Sequence, residues 1–321
     1  MGCDTPLVWI VDSAYTGELN GRIGVAERLG YDYEMIPLPN GDSGAYARLL
    51  DNRYGDACRD GTPRPVILLS GTGEDTIGPI ADIKALFQGR LLNVYLASIL
   101  PDELDLRLQE YDVVASPQLS GANVVTTVGV VHKMTDRLLD HAFHRHKDLF
   151  VDVARPLVCL LLGGNTRYCF GFNEGYARGL GRRVASIVAS LKGSLVITNS
   201  RRTPKEALAA LLDEVAVPDR SFFDWQHIDP DVYPSLLAHS DVFVATGDSV
   251  SMCSEASYTG KPLLVDMRDC TTEIYHRNII GTLIAYGAAK PLSDTFHTWT
   301  YTPPDPTGAV VAAIHERLVE K

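Results

Sequence analysis

The segment with the strongest chemical signature covers residues 245–265, with the sequence ATGDSVSMCSEASYTGKPLLV. An apolar run precedes Gly247-Asp248, and an amphipathic stretch follows, so the pattern predicts a buried strand, a tight turn and a helix. Gly247 would let the backbone approach a ligand closely. Ser249 and Ser251 would place hydroxyls beside the free N–H groups of the first helical turn. Those groups and the helix dipole favour a bound phosphate.

Glu255 lies about a turn and a half into the same predicted helix. Its carboxylate would accept hydrogen bonds from the two hydroxyls of a ribose. The alternative is that Asp248 or Ser249 only caps the helix and that Glu255 is solvated.

Two adjacent arginines stand at the end of another predicted strand, in TNSRRTP at 198–204. Paired guanidinium groups match a diphosphate through charge-assisted, often bidentate hydrogen bonds. Arg201 is the preferred phosphate ligand. For Arg202, the alternative is that its side chain points to solvent. A fully solvated arginine pair is the second alternative, because most arginines are exposed.

A glycine pair follows the first predicted strand of the second half, in LLLGGNTRYCFGF at 160–172. Gly163 and Gly164 predict a tight turn whose backbone amides can contact a ligand. The spacing is not that of a GxGxxG motif. The adjacent polar candidates are Asn165, Thr166 and Arg167.

Two loops of the first half carry the candidates for acid–base chemistry. VDSAYTGELNG at 11–21 follows the first predicted strand, and SGTGEDTIG at 70–78 follows a later one. The second segment lacks the Lys-Ser/Thr of a P-loop, so ATP hydrolysis is not predicted. The polar candidates are Asp12, Gly17, Glu18 and Asn20 in the first loop, and Ser70, Thr72, Glu74 and Asp75 in the second.

The histidine-rich stretch at 141–147 does not predict a metal site. Arg145 occupies the position four residues after His141, so the paired histidines of a zincin helix do not form. An exposed, partly basic helix is expected, with contact to an acidic lipid headgroup as the alternative.

The elements that must position these residues alternate between apolar runs and amphipathic stretches, which predicts parallel sheets with right-handed crossovers. The pattern restarts near residue 156. We therefore predict two Rossmann-like, doubly wound domains, 1–150 and 151–321, facing a central cleft and joined by a linker at 148–156. The final helix is free to pack back on the first domain. Predicted strands are 7–12, 65–70, 92–98, 111–116, 123–129, 156–163, 194–200, 241–246 and 261–266. Predicted helices are 18–29, 76–88, 174–191, 204–215, 231–239, 249–259 and 306–320.

The overall composition limits the classes of protein to which this chain can belong. The chain has 321 residues, 45% of them hydrophobic, and a formal net charge of −11. The size suits two domains, and the negative charge disfavours nucleic acid as a partner. Six scattered cysteines indicate neither a zinc site nor a disulfide framework. With no apolar run of 18 residues and no leader-like start, we expect a cytoplasmic protein, with peripheral contact at the inner face of a membrane left open.

The strings SRRTP and T-x-DSVSM-x-SEA-x-x-TGKP resemble the bacterial branch of the "elongated mitochondria" family of mitochondrial-fission proteins. VWIVDSAYTGELNGRIGVAERLG, NVVTTVGVVHKM and LLLGGN extend the resemblance over most of the chain. It implies a GT-B type fold and a nucleotide-sugar site around Arg201, Arg202, Asp248, Ser249, Ser251 and Glu255. The chain departs from the family pattern in the first half, where Gly21 follows Asn20, Ser70-Gly71-Thr72-Gly73 replaces a Gly-Arg pair, and SPQLSGA replaces a His-Asp pair.

These observations predict transfer of a sugar from a nucleoside diphosphate to a hydroxyl acceptor, with a lipid-linked envelope component as one candidate acceptor. Arginines and a helix N-terminus would stabilise the leaving group without a metal or another cofactor. Asp12 or Asp75 would act as the general base. A non-catalytic adaptor and a sugar-nucleotide epimerase of the same fold are the alternatives.

Overall fold

The computed structural model describes residues 5–39, 42–58, 61–72, 76–87, 89–101 and 105–319. The chain divides into two compact units, Met1–Lys133 with Asp305–Lys321, and Met134–Pro304.

Elements of the first unit are β1 (Leu7–Val11), α1 (Thr16–Leu29), β2 (Tyr33–Ile36), α2 (Ser43–Ala57), β3 (Val66–Gly71), α3 (Ile77–Lys84), β4 (Leu91–Leu96), β5 (Val113–Ser116) and β6 (Val124–Thr126). Those of the second are α4 (Asp136–Arg145), β7 (Leu157–Leu161), α5 (Glu174–Leu191), β8 (Ser194–Thr198), α6 (Lys205–Glu214), β9 (Arg220–Phe223), α7 (Val232–His239), β10 (Val242–Thr246), α8 (Val250–Tyr258), β11 (Leu263–Asp266), α9 (Ile274–Tyr286) and β12 (Ala289–Pro291). The last helix, α10 (Pro306–Val319), belongs to the first unit.

Over the described residues of the first unit, the sheet has six parallel strands in the order β2-β1-β3-β4-β5-β6. Strands β3 and β4 are buried along their whole length, because their runs of Val, Leu and Ile are covered by helices on both faces. The crossover direction reverses between β1 and β3. Polar residues after those two strands therefore meet at one edge of the sheet.

The described part of the second unit also holds six parallel strands, in the order β12-β11-β10-β7-β8-β9. Counted from β7, this is the order 3-2-1-4-5-6 of a Rossmann fold, with its switch point between β7 and β10. Helices α5 and α6 pack over Val158, Leu160 and Leu195 on one face. Both units are Rossmann-like, so the predicted fold class is confirmed.

The division between the units lies before the predicted linker at 148–156, between Lys133 and Met134. Helix α4 packs against α7 and so belongs to the second unit. In addition, Arg145 forms an ion pair of 2.9 Å with Asp231. The predicted boundaries 1–150 and 151–321 therefore place α4 on the wrong side.

Helix α10 packs against α1, which is why residues 305–321 join the first unit. The hydroxyl of Thr307, near the start of α10, accepts a hydrogen bond from the backbone N–H of His132 at 2.9 Å and donates one to its carbonyl at 2.8 Å. Val310 and Ile314 complete a buried cluster with β1, β3 and β4. The final helix thus packs back on the first unit, which is the alternative that the sequence left open for it.

Several elements were not predicted, and they share weak sequence signals. Strands β2, β9 and β12 are edge strands of three or four residues with mostly exposed side chains. They lack the continuous apolar run by which buried strands are recognised. Helix α9, with the sequence IYHRNIIGTLIAY, is rich in β-branched residues that lower helix propensity. Helix α2 was also missed.

Candidate functional site

The best-formed polar cluster of the second unit lies at its switch point, where the chain leaves β7, β8 and β10. Three loops meet there, around Gly163-Gly164, Ser200–Thr203 and Gly247–Ser249. In open α/β sheets this position is where ligands bind. The structure therefore brings together the three segments that the sequence analysis had singled out.

Atoms of the two neighbouring loops approach Gly163 and Gly164 so closely that neither position has room for a Cβ atom. A Cβ atom on Gly164 would lie 2.0 Å from the carbonyl oxygen of Arg202, and one on Gly163 would lie 2.0 Å from a carboxylate oxygen of Asp248. The backbone N–H of Gly163 donates to the hydroxyl of Thr246 at 2.8 Å. The turn is thus fitted against its two neighbouring loops, and only glycine allows that fit.

Asp248 is the residue that joins the three loops. Its side chain is buried, and Oδ2 accepts hydrogen bonds from the Gly164 N–H at 2.7 Å and from Arg202 Nη1 at 2.9 Å. Burial raises the pKa of Asp248, while Arg202, the Gly164 amide and Thr246 act in the opposite direction. Arg202 also donates to the Asp248 carbonyl at 3.2 Å. Arg202 thus pairs with a buried carboxylate whose other oxygen, Oδ1, has no hydrogen-bond partner among the described residues.

The two arginines of this loop have different environments. Arg202 turns back over the switch point, with about 34% of its side chain exposed, so the alternative that it points to solvent is wrong. Arg201 is exposed. Within the described part of the chain, Arg201 forms no hydrogen bond or ion pair. Its charge is therefore the one that remains available to an anion.

Helix α8 begins beside this cluster. Gly247 approaches the β11 strand end, where a Cβ atom would lie 3.0 Å from the Asp266 carbonyl oxygen. The side chain of Ser249, at the N-cap, makes no capping hydrogen bond among the described residues. The first-turn amides have no acceptor inside the helix, and Ser251 lies in this turn. Ser249 and Ser251 are both partly accessible.

Glu255 occupies the same helical face as Ser251, one turn further along. It is only 6% exposed, so the alternative that it is solvated is wrong. The phenol of Tyr233, on α7, donates a hydrogen bond of 2.6 Å to Glu255 Oε2. Tyr233 is not predicted from the sequence, because no motif marks it.

A second missed residue is His276, on α9. It is 3% exposed, and within the described chain its buried Nδ1 has no hydrogen-bond partner. Burial, together with the nearby Arg202, lowers the pKa of His276 to about 3. The imidazole is therefore neutral at physiological pH. It lies on a helix that was not predicted, and no sequence motif marks it as part of a site.

The remaining candidates lie in the first unit. Asp12 follows β1, is exposed, and accepts a hydrogen bond from the Ser13 N–H at 2.8 Å. Gly17 and Asn20 lie in the first turns of α1 rather than in a loop. Asp75 and its neighbour Glu74 are outside the described residues.

Arg22, which is not predicted from the sequence, is fully buried in α1 at the switch point of the first unit, between β1 and β3. Its Nη1 donates to the carbonyl oxygens of Val11 at 2.7 Å and Asp12 at 2.8 Å, and Nη2 donates to that of Thr72 at 3.3 Å. Arg22 thus ties the chain after β1 to the chain after β3.

The described residues contain no group of three or more His, Cys, Asp or Glu side chains placed to hold a metal ion. None of the helices in these segments combines the length and apolar character needed to span a bilayer.

Two doubly wound domains with a polar cluster at the switch point of the second define a Rossmann-like α/β protein of the GT-B fold class. The UDP-GlcNAc 2-epimerase of Neisseria meningitidis, solved with UDP-GlcNAc bound, is similar in structure, with a TM-score of 0.56 at 14% identity, covering 99% of this chain and 100% of that one. The Methanocaldococcus jannaschii enzyme of the same name gives a TM-score of 0.56 at 11% identity, covering 98% and 92% of the two chains. At sequence identities this low, the structural similarity establishes the fold alone.

The model of the Mitochondrial fission ELM1 family matches residues 16–318, and the chain belongs to that family. Mitochondrial fission protein ELM1 of Arabidopsis thaliana is 28% identical over 204 residues, which is 62% of this chain and 46% of that protein. An uncharacterized protein of Rickettsia prowazekii is 25% identical over 142 residues, or 44% and 40% of the two chains. The matches span less than half the length of these relatives. The resemblance seen in the sequence is confirmed.

Proposed function

We propose that this chain binds a nucleoside-diphosphate sugar at the switch point of its second unit and transfers the sugar to a hydroxyl acceptor. The observation that carries the proposal is the joining of three loops through Asp248, next to the start of α8, with Arg201 exposed in the same loop as Arg202. An exposed guanidinium and a helix N-terminus each supply positive potential and donors that a diphosphate needs.

The two arginines have different roles in this proposal. Arg202 and the Gly164 amide are already bound to Asp248, so they fix the shape of the turn. The diphosphate is bound by Arg201 and by the first-turn amides of α8. The hydroxyls of Ser249 and Ser251 add donors next to those amides, and Gly247 lets the phosphates approach the backbone.

Glu255 is assigned to the ribose. Its carboxylate accepts hydrogen bonds, and two neighbouring sugar hydroxyls are suitable donors. Asn165 stays a candidate to contact the nucleobase or the sugar. Its backbone N–H donates to the Arg202 carbonyl at 3.1 Å and its side-chain oxygen accepts from the Phe172 N–H at 3.0 Å, so both bonds fix Asn165 beside the Arg202 loop.

Catalysis in this proposal consists of charge stabilisation and one proton transfer. When the sugar leaves the diphosphate, Arg201 and the helix amides stabilise the developing negative charge. Asp12 and Asp75 stay the candidates for the base that removes the acceptor's proton. Gly17 and Asn20 are proposed to contact the acceptor. A lipid-linked acceptor, met by a cytoplasmic protein at a membrane surface, is one option.

Isothermal titration calorimetry with UDP, ADP and UDP-GlcNAc tests donor binding. UDP-GlcNAc is included because a protein of similar fold binds it. Removing a charge-assisted contact weakens binding about tenfold to a hundredfold. Arg201→Ala and Glu255→Ala should each show such a loss, whereas the exposed Arg137→Ala on α4 should bind like the wild type. Equal affinities for wild type and Arg201→Ala would refute the proposal.

Product analysis separates the three functions compatible with this fold. A transferase releases nucleotide and glycosylates an added acceptor. A sugar-nucleotide epimerase changes the sugar when no acceptor is present. A non-catalytic adaptor does neither, even if it binds the nucleotide. Incubating the protein with nucleotide-sugars, with and without envelope lipid extract, therefore distinguishes them by chromatography and mass spectrometry.

A further inference from the structure

A phenol–carboxylate pair, with a partly buried tyrosine and a buried glutamate, lies on two helices of the second unit. Tyr233 on α7 donates to Glu255 Oε2 on α8, with 2.6 Å between the two oxygens. Burial, reinforced by the neighbouring Glu255, raises the pKa of Tyr233 well above its usual value. The phenol therefore keeps its proton and remains a donor to the carboxylate across the physiological pH range.

This hydrogen bond restricts a side chain that is otherwise flexible. A glutamate loses considerable rotamer entropy when it is fixed in one orientation. The Tyr233 hydrogen bond supplies this ordering from within the protein. A carboxylate that is already oriented binds a pair of hydroxyls more tightly than one that must first be ordered.

We propose that Tyr233 is a positioning residue that holds Glu255 in the orientation needed to bind both ribose hydroxyls, and that it thereby makes the site selective for ribonucleotides over 2′-deoxyribonucleotides. Because Glu255 contacts the ribose only in the function proposed above, this inference rests on that function. Tyr233 itself touches no ligand. Its effect is exerted through the carboxylate alone.

The selectivity between UDP and 2′-deoxy-UDP is the readout that a merely structural role would not change. We expect wild type to prefer UDP about tenfold, the value of one hydrogen bond to a charged group. Tyr233→Phe should reduce this preference severalfold by weakening UDP binding, while 2′-deoxy-UDP and pyrophosphate bind as before. In the Glu255→Gln background, adding Tyr233→Phe should change the preference little further.

Tyr301→Phe is the matched control. Its phenol donates to the carbonyls of Ser257 at 2.9 Å and Lys261 at 2.8 Å, so the variant also loses phenol hydrogen bonds close to α8. Thermal melts check that each variant is folded. Tyr301→Phe should retain the wild-type preference for UDP.

The outcomes separate the two proposals. If wild type binds UDP in a manner that depends on Arg201, but Tyr233→Phe keeps the full preference or loses both ligands equally, the positioning role is wrong and the donor site stands. If wild type binds none of the nucleotides, both proposals fail. If Tyr233→Phe does not fold, Glu255→Gln alone decides, since an unchanged preference in that variant also overturns the inference.

Discussion

The two units each place an arginine at the switch point of a parallel sheet, but they satisfy its charge in different ways. Arg22 is buried in α1 and donates to backbone carbonyls after β1 and β3. Arg202 comes from the loop after β8, is partly exposed, and pairs with the buried Asp248. A switch point leaves polar backbone groups between diverging connections, and an arginine can bridge them. In the second unit this arrangement leaves a neighbouring cation, Arg201, accessible.

The largest expected effect is that of removing Arg202. Arg202→Met leaves Asp248 buried without its cation, and breaking such a pair costs about 3–5 kcal/mol of unfolding free energy. We expect the lower end, because Arg202 is about 34% exposed. The loss should shrink as the pH is lowered, because burial raises the pKa of Asp248 and the folded protein therefore neutralises this carboxylate at a higher pH than the unfolded chain does.

Urea unfolding of Arg202→Met at pH 7 and pH 5 measures this effect. Arg201→Met is the matched control, since surface substitutions usually change stability by less than about 0.5 kcal/mol. Equal losses for the two variants would mean that the Arg202–Asp248 pair does not hold the loops together.

The corresponding change in the first unit is Arg22→Met. It leaves the carbonyls of Val11, Asp12 and Thr72 without these donors, and an unsatisfied buried polar group costs about 1–3 kcal/mol. Hydrogen exchange should accelerate for amides at the ends of β1 and β3. Arg28→Met removes an ion pair with Asp305 at the surface and should cost no more than about 1 kcal/mol. Unchanged exchange in Arg22→Met would show that other contacts fix these strand ends.

A third comparison concerns close backbone approach. Gly164→Ala forces a Cβ atom against the Arg202 carbonyl, and overpacking of this kind costs about 1–3 kcal/mol. Gly281→Ala, in α9 of the same unit, meets no atom within 4 Å and should stabilise the helix by about 0.5–1 kcal/mol. Opposite shifts in melting temperature are therefore expected. A stabilised Gly164→Ala would contradict the close packing of the loops.

Much of this architecture follows from sequence patterns, and the exceptions have physical causes. Long apolar runs predicted the buried strands, such as β3 and β10, because a strand covered on both faces needs apolar residues throughout. The loops after β7, β8 and β10 were also identified, since glycine pairs and adjacent arginines stand out in a sequence. The edge strands and α9 were not, because their residues are exposed or β-branched.

The pairing of residues could not be predicted in the same way. Arg201 and Arg202 are identical in type and adjacent, and only the fold brings Asp248 to one of them. Similarly, Arg22 lies in an ordinary helical pattern, and its burial depends on the approach of β3. Tertiary contacts of this kind leave no mark on local sequence.

The last comparison depends on pH and concerns two buried histidines, one in each unit. Burial is the main cause that lowers the pKa of His132 to about 4 and of His276 to about 3. Both stay neutral in the folded protein, while the unfolded chain binds protons near pH 6.5. Stability is therefore fully present above about pH 6.5 and falls as the pH is lowered, by up to about 1.4 kcal/mol per pH unit for each histidine.

Removing one histidine should weaken this dependence on pH. In His276→Gln, the loss of unfolding free energy between pH 6.5 and pH 4.5 should be smaller than in wild type by the contribution of this one histidine. The exposed His144→Gln on α4 is the control and should retain the wild-type slope. Denaturant titrations across this pH range measure the slopes. An unchanged slope in His276→Gln would mean that its imidazole is protonated in the folded state, and a charged imidazole beside Arg202 would then require a nearby anion.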